Sequence, residues 1–315
     1  MRSALTVLAC LMLASTLSWV SCTYAYAAAL PSAGSAWPSL NRAAIAALDA
    51  GRYEDALREA RRALAVADES YGSDSLQGIE ARLRVGAAYA ALGEAATARA
   101  VLEPATRMAA STYGMGHAAT AALAGALAPV LIEQRALTMA EDLLTRVRQA
   151  AMQELGPRHP LVGDLTGSMA ALYIAKGDPK KARHWLDEDL ALSRAIFGEH
   201  SAQAATALNN IGVFYLRAYA WPEAAQYFNR AMAIRRSELG PDHPAFAESL
   251  HNLAHAEIEM HHPMRAQQLL HSALDIRRAT LGVGHRLTEE SENLLRIANE
   301  QAPQAPAKHY PASGS

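Results

Sequence analysis

The sequence predicts an all-α solenoid, a stack of similar helical hairpins, and two observations support this prediction. The chain has 315 residues, of which 70 are alanine, and 51% of it is apolar although only 6% is aromatic. Alanine is the strongest helix former, and long runs of β-branched residues are few. A period of 42 residues then divides most of the chain into six similar units.

The charge composition excludes several classes of protein. The formal net charge is -2, with 29 basic and 31 acidic residues, and 19% of the residues are charged. A disordered polyelectrolyte would have a larger imbalance, and a nucleic-acid-binding protein would have a basic excess. The composition therefore favours a globular or repeat protein that does not bind nucleic acid.

The first 27 residues are typical of a secretory signal peptide. Arg2 gives a positive start, residues 4–20 are mostly apolar, and Ala25-Tyr26-Ala27 matches the small-residue cleavage pattern. We therefore expect an exported protein, periplasmic or secreted, without a stable transmembrane segment after cleavage. An alternative remains open, because Trp19-Val20-Ser21-Cys22 resembles a lipobox and would give a lipoprotein anchored through Cys22.

The remaining chain divides into three expected segments. Both cysteines, Cys10 and Cys22, precede the expected cleavage point, so the mature protein would be stabilised without disulfides. Residues 28–38 are expected to be a linker, residues 39–301 a solenoid, and residues 302–315, which are rich in Pro, Ala and Ser, a disordered tail.

Recurring residues define the repeat unit. A bulky residue and a glycine recur every 42 residues at Tyr71-Gly72, Tyr113-Gly114, Leu155-Gly156, Phe197-Gly198, Leu239-Gly240 and Leu281-Gly282. Three positions later come Ser75, His117, His159, Ser201, His243 and His285. Two positions carry only small residues: Ala44, Gly86, Ala128, Ala170, Gly212 and Ala254, then Ala56, Ala98, Ala140, Ala182, Ala224 and Ala266. A third alanine position is broken by Val147 and Asp189.

Each unit reads as two helices, because its apolar residues follow a period of 3.6 and not of 2. The expected breaks between paired helices are Gly51, Gly93, Gly177-Asp178-Pro179, Trp221-Pro222 and His261-His262-Pro263. The glycine that ends each unit suits a left-handed helix terminus, and the Ser or His that follows suits an N-cap of the next helix. In unit three, Pro129 lies inside the first helix and predicts either a tolerated kink or a hinge.

The last three units resemble a known family. Leu208-Asn209-Asn210-Ile211-Gly212, with Ala224, Phe228 and Ala231, and then Leu239-Gly240-Pro241-Asp242-His243-Pro244, resemble the tetratricopeptide repeat in its 42-residue, kinesin-light-chain-like form. The resemblance covers about residues 39 to 300. It implies a right-handed superhelix of six units and a capping helix near 287–301, whose concave face, lined by the first helices, binds peptides or protein segments.

Helical phase places one set of polar residues on the concave face. The expected groove consists of Glu80, Asp164, Thr206, Asn209, Val213, Arg217, Glu248, His251, His255 and Glu259. The resemblance adds Asn210 and Asn252, whose amides would pair with a peptide backbone or, alternatively, bond neighbouring helices. The groove charges lean acidic in the C-terminal half, which favours a basic or neutral partner. The pairs Arg235-Arg236 and Arg277-Arg278 are interpreted as a solvated outer face.

No catalytic signature accompanies the repeats. Nucleophile elbows, phosphate-binding loops and zinc-protease motifs are absent from the sequence. The helical stripe of Glu248, His251, His255 and Glu259 is the one arrangement that would suit Zn²⁺, and a polar groove face is the alternative. We therefore expect a non-enzymatic scaffold or adaptor of the cell envelope without cofactor or metal. The alternatives are a lipid-anchored structural component and a metal-dependent sensor or enzyme using His251 and His255.

Overall fold

The computed structural model describes residues 36–302, in which thirteen helices follow one another without a β-strand. They are α1 (Trp37–Asp49), α2 (Tyr53–Tyr71), α3 (Leu76–Ala91), α4 (Ala95–Tyr113), α5 (Ala118–Glu133), α6 (Leu137–Glu154), α7 (Pro160–Lys176), α8 (Pro179–Phe197), α9 (Ala202–Arg217), α10 (Trp221–Leu239), α11 (Pro244–Glu259), α12 (Pro263–Leu281) and α13 (Arg286–Gln301). The expected signal peptide, most of the linker and nearly all of the tail lie outside the described residues.

The helices form two layers. Each odd-numbered helix is the first helix of a unit and packs against the first helices before and after it, while each even-numbered helix packs against the first helix of its own unit and of the next. The result is a right-handed solenoid of six hairpins with α13 packed at the end as a capping helix. The predicted fold class is therefore confirmed.

The small-residue positions lie where paired helices approach each other. Every alanine at these positions is at most 1% exposed. A Cβ atom on Gly86 would lie 2.4 Å from Leu102, and one on Gly212 would lie 2.5 Å from Phe228. Larger side chains would overpack these contacts, which explains why only Ala and Gly occupy them.

The predicted N-caps are confirmed at every unit boundary. The hydroxyl of Ser75 accepts a hydrogen bond from the backbone N–H of Gly78, and His243 Nδ1 accepts one from Ala245 N–H. The glycine three residues earlier has a positive φ, +91° at both Gly72 and Gly240. The recurring histidines therefore begin helices.

The turn inside each hairpin has one left-handed residue, again at intervals of 42. Gly51, Gly93 and Gly177 occupy it in three units, whereas Arg135, Tyr219 and His261 adopt φ values of 60° to 61° in the others. The break in unit five therefore precedes the predicted Trp221-Pro222, which form the first turn of α10.

Two other boundaries bear on the predictions. Helix α1 begins at Trp37, two residues before the expected start of the solenoid. Helix α5 continues from Ala118 to Glu133 with Pro129 inside it, so the proline of unit three does not end the helix.

The solenoid also contacts itself across one superhelical turn. His243 Nε2, at the start of unit six, lies 2.9 Å from the carbonyl oxygen of Asp49, at the end of α1. His285 Nε2 lies 3.3 Å from the carbonyl oxygen of Ala91, at the end of α3. Both pairs are 194 residues apart in sequence, so the same contact occurs in two successive units. We call this contact the seam.

Apolar contacts extend the seam. A Cβ atom on Gly51 would lie 2.5 Å from Cγ of Pro244, and Leu281 packs against a cluster that includes Leu48 and Tyr53. Burial, followed by the charge of Glu248, raises the pKa of Tyr53. The N-terminal units thus cover the start of α11, a helix in which every residue from Pro244 to Ile258 is buried.

Within residues 36–302, no helix is both long enough and apolar enough to cross a membrane.

Candidate functional site

The expected groove is mostly closed. Asp164, Thr206, Arg217 and Glu259 are half-buried. The other groove residues of units five and six are at most 5% exposed, namely Asn209, Asn210, Val213, Glu248, His251, Asn252 and His255. Within this set, Val213 packs in an apolar cluster with Phe228 and Leu253. In this conformation these seven residues cannot line an open peptide groove.

The groove asparagines hydrogen-bond to each other and to a neighbouring helix. Asn252 Nδ2 donates to Asn209 Oδ1 at 3.1 Å, and Asn209 Nδ2 donates to Glu248 Oε1 at 3.0 Å. Since all three side chains are buried, their hydrogen bonds compensate for lost hydration. The contact of Asn252 matches the alternative in which the added amides bond neighbouring helices, and Asn210 is buried at 4% exposure.

Arg235 was expected on the solvated outer face, and that prediction is wrong. Its side chain is fully buried and donates to Ala245 O at 2.8 Å, to Ser249 Oγ at 2.9 Å and to Glu248 Oε2 at 3.3 Å. It follows Ala231 by four residues, so it lies on the packed face of α10. Of the pair Arg235-Arg236, only Arg236 is exposed.

Arg277 repeats this arrangement one unit later. It is 2% exposed and donates to Leu287 O and Ser291 Oγ, both at 2.6 Å, and to His251 Nδ1 at 3.3 Å. Arg278 is exposed and pairs with Glu292 at 2.8 Å. Burial, the nearby charge of Arg277 and that of His255 lower the pKa of His251 well below its usual value. His251 is therefore a neutral hydrogen-bond acceptor.

The histidine stripe does not assemble a metal site in the described residues. No group of three or more His, Cys, Asp or Glu side chains between residues 36 and 302 is arranged to hold a metal ion. His255 Nε2 instead lies 3.6 Å from Glu259 Oε1, and this contact lowers the pKa of Glu259. The structure thus gives the stripe contacts within the fold.

Asp189 is a buried carboxyl group at the broken alanine position. It is 6% exposed, and burial, followed by the charges of Asp164 and Glu188, raises its pKa to about 8. Ser193 hydrogen-bonds to it. At neutral pH this side chain is therefore mostly protonated.

An open pocket lies beside the turns of units three to five. Its volume is about 390 Å³. It is lined by Arg135, Tyr173, Ile174, Ala175, Lys176, Gly177, Asp178, Pro179, Ala182, Phe214, Arg217 and Ala218. Arg217 is the one residue of this pocket that the groove prediction contained. We call it the turn pocket.

The cations of the turn pocket are unequally compensated. Lys176 pairs with Glu141, which also accepts a hydrogen bond from Tyr173 at 2.6 Å, and these contacts lower the pKa of Glu141. Arg135 donates to the carbonyl oxygen of Ala175 at 3.5 Å, and no carboxylate of residues 36–302 lies within 4.0 Å of its guanidinium or that of Arg217. Burial, followed by the charge of Arg135, lowers the pKa of Arg217.

The sequence analysis missed Arg135, although the period contains a signal for it. Position 135 aligns with Gly51, Gly93 and Gly177, so a left-handed conformation was predictable there. An arginine at a left-handed position that three units fill with glycine departs from the repeat pattern, and such a departure indicates a candidate functional residue.

Stacked hairpins with an inner layer of first helices define a class of helical-repeat scaffold. A profile of the tetratricopeptide repeat family matches residues 35–111, 165–237 and 203–279, which together make up more than half of the chain. The chain belongs to the tetratricopeptide repeat family. Proteins of this family are generally non-catalytic scaffolds for protein interactions.

Several solved structures are similar to this chain at low sequence identity. BtubC (BKLC) from P. vanneervenii is 18% identical, with a TM-score of 0.52, over 78% of this chain and 93% of that one. A Rap protein complexed with competence and sporulation factor is 12% identical, with a TM-score of 0.59, over 84% and 76%. Repeats of a putative kinesin light chain from Podosopora anserina are 21% identical, with a TM-score of 0.48, over 66% and 98%. The sequence matches none of the curated proteins.

Proposed function

We propose that this protein is an exported, non-catalytic adaptor of the cell envelope that binds a segment of another protein. The observation that carries the proposal is the tetratricopeptide repeat array itself, which presents a rigid surface of stacked helices. Preformed helices lose little conformational freedom on binding, so the contacts that they make with a partner are not offset by a large ordering cost.

The polar contacts of the described residues also favour binding over catalysis. The side chains that would suit acid–base or metal chemistry in units five and six, Glu248 and His251, are buried and hydrogen-bonded to Asn209, Arg235, Arg277 and Ser291. Because Glu248 pairs with Arg235, the acidic groove that favoured a basic partner is no longer presented to solvent. The chemistry of the partner therefore has to be inferred from the side chains that are accessible to solvent.

Export is supported by the pattern of residues 1–27, with its positive start, apolar stretch and small-residue cleavage motif. We propose cleavage after Ala27. A mature polypeptide that begins near Ala28 is the expected product. A lipid-modified product beginning at Cys22 would favour the lipid-anchored alternative.

The proposal is tested by expressing the whole chain in its native cells with a C-terminal affinity tag. The mature mass, the fractionation of the cells and chemical crosslinking in intact cells are measured together. We expect an envelope protein without residues 1–27 that crosslinks to one or a few proteins. A variant lacking residues 2–27 is the control, because it should lose these crosslinks. Retention of the full chain in the cytoplasm, or the same crosslinks in the control, would contradict the proposal.

A further inference from the structure

The seam leaves one part of the solenoid edge uncovered. The turns between paired helices of units one and two lie beneath the starts of α11 and α13, through His243 and His285. Helix α13 also approaches the start of the unit-three turn, since the charges of its Arg286 and Glu290 act on Glu133. In the described residues, no further unit follows α13 to cover the rest of that turn or the turns of units four and five. We call the surface formed by these three turns the turn edge, and the turn pocket lies on it.

Two arginines distinguish the turn edge from the other units. At the position of Arg217, the other five units have Asp49, Ala91, Glu133, Ala175 and Glu259. At the position of Arg135, three of the other five units have glycine. Arg135 also holds φ at 60°, a conformation that non-glycine residues rarely adopt.

These arginines do not stabilise the fold through ion pairs. Arg217 Nη1 is buried and has no hydrogen-bond partner among residues 36–302, and its charge is close enough to that of Arg135 to lower its pKa. Two nearby like charges without a carboxylate within 4.0 Å are unfavourable in a partly buried site. Asp178, the carboxylate in the pocket lining, accepts instead from the backbone N–H of Lys181. The left-handed backbone of Arg135 and its charge repulsion with Arg217 are both unfavourable for folding, and such features are typical of residues retained for binding.

Apart from Lys176 and Asp178, the remaining side chains of the pocket lining are apolar or aromatic. Ile174 and Ala182 lie in it beside the rings of Tyr173 and Phe214. Tyr219, which is 69% exposed, lies two residues after Arg217 on the same edge. A volume of about 390 Å³ is larger than one small ion requires and suits side chains of a peptide.

We propose that the turn edge binds an extended acidic segment of a partner protein, with a Glu or Asp carboxylate between Arg135 and Arg217. A neighbouring apolar side chain packs against Phe214 and Ile174. Guanidinium groups bind carboxylates through strong charge-assisted hydrogen bonds, and the bound carboxylate relieves the repulsion between the two arginines. This inference rests on the proposed function and specifies where the partner binds and which chemistry it presents.

A peptide titration tests this inference with the purified chain. The probe is a fluorescein-labelled Gly/Ser peptide of ten residues with a central Leu-Glu-Glu and an amidated C-terminus. We expect Arg135→Gln and Arg217→Gln each to weaken its binding by about tenfold, the loss expected when a charge-assisted contact is removed. Arg158→Gln is the matched control, because Arg158 is exposed in the loop between α6 and α7, on the edge of the solenoid opposite the turn edge. This substitution should change the affinity less than about twofold.

Two further peptides separate the sources of the carboxylate. A Leu-Gln-Gln peptide with an amidated C-terminus should not bind, and the same peptide with a free C-terminus should bind no better. Equal binding of the Glu and Gln peptides would overturn the inference, and so would binding that requires the free C-terminus. Thermal melting of the two arginine variants should show no loss of stability, since each removes an unpaired charge.

The outcome is distinguishable from failure of the proposed function. If intact cells show the same crosslinked partners for the Arg135→Gln/Arg217→Gln double variant as for the wild type, the adaptor proposal stands and the turn-edge site is wrong. If no partner is crosslinked to either protein, the adaptor proposal itself fails.

Discussion

At the scale of single residues, the buried polar groups of units five and six show where sequence reasoning succeeded and failed. Helical phase would place Arg235 on the packed face of α10 and Arg236 outside it, but both were expected on the solvated outer face. The equivalent positions of earlier units hold Ala67, Ala109, Ala151 and Ser193, small residues typical of a packed face. A repeated arginine at such a position indicates a buried hydrogen-bonding role.

Asp189 gives a prediction at the same scale. Its pKa is raised to about 8 in the folded protein, whereas an unfolded aspartate titrates near about 3.9. The folded state therefore holds the proton more tightly, so the free energy of unfolding falls as pH rises from about 4 to about 8. Asp189→Asn removes this loss and should stabilise the protein at pH 8 by up to about 5 kcal/mol.

Chemical denaturation of both proteins at pH 5 and pH 8 measures this difference. The gain from Asp189→Asn should be larger at pH 8 than at pH 5, because pH 5 lies only about one unit above the pKa of the unfolded aspartate and pH 8 lies about four units above it. Asp187→Asn is the control, since Asp187 is an exposed aspartate two residues earlier on the same helix. A gain that is equal at the two pH values would show that Asp189 does not titrate as proposed.

At the scale of the helix, most of the structure was predictable because the signals are local. The N-cap at Ser75 or His243 depends on residues within three positions, and the 42-residue period repeats the signal. The turn before α10 was misplaced because Tyr219 adopts the left-handed conformation without being glycine. Local propensity does not reveal such a residue, whereas its alignment with Gly177 does.

The two helical glycines Gly212 and Gly125 give a paired prediction. Gly212→Ala would place a Cβ atom 2.5 Å from the ring of Phe228 and should destabilise the protein by roughly 1–3 kcal/mol. Gly125→Ala meets no atom within 4 Å and should stabilise it by up to about 1 kcal/mol through helix propensity. Equilibrium unfolding in urea measures both. Equal effects of the two substitutions would contradict the close packing assigned to the small positions.

At the scale of the whole molecule, the seam was the feature that the sequence did not predict. Its contacts join residues 194 positions apart, and they depend on the number of units in one superhelical turn. The number of units in one superhelical turn is set by the sum of small rotations between successive hairpins, so no single unit determines it. The seam covers the start of α11, whereas Asn209, Arg235, Arg277 and Ser291 of neighbouring helices contact the expected groove residues of unit six.

The seam gives a prediction about shape. In the double variant His243→Ser/His285→Ser, serine can still cap the helices, as it does at Ser75 and Ser201, but cannot donate across the seam. We expect a larger radius of gyration by small-angle X-ray scattering. His159→Ser is the control, because it changes a cap at a boundary that is not part of the seam. An unchanged radius in the double variant would show that these hydrogen bonds do not hold the turns together.

The central claim is that a partner protein binds the turn edge, and photocrosslinking in intact cells tests it most directly. A photoreactive benzoylphenylalanine replaces either Tyr219, on the turn edge, or Arg158, on the opposite edge, and both positions are exposed. We expect position 219 to yield a covalent adduct with a specific protein, and we expect position 158 to yield none. An adduct from position 158 alone, or the same adduct from both positions, would contradict the claim.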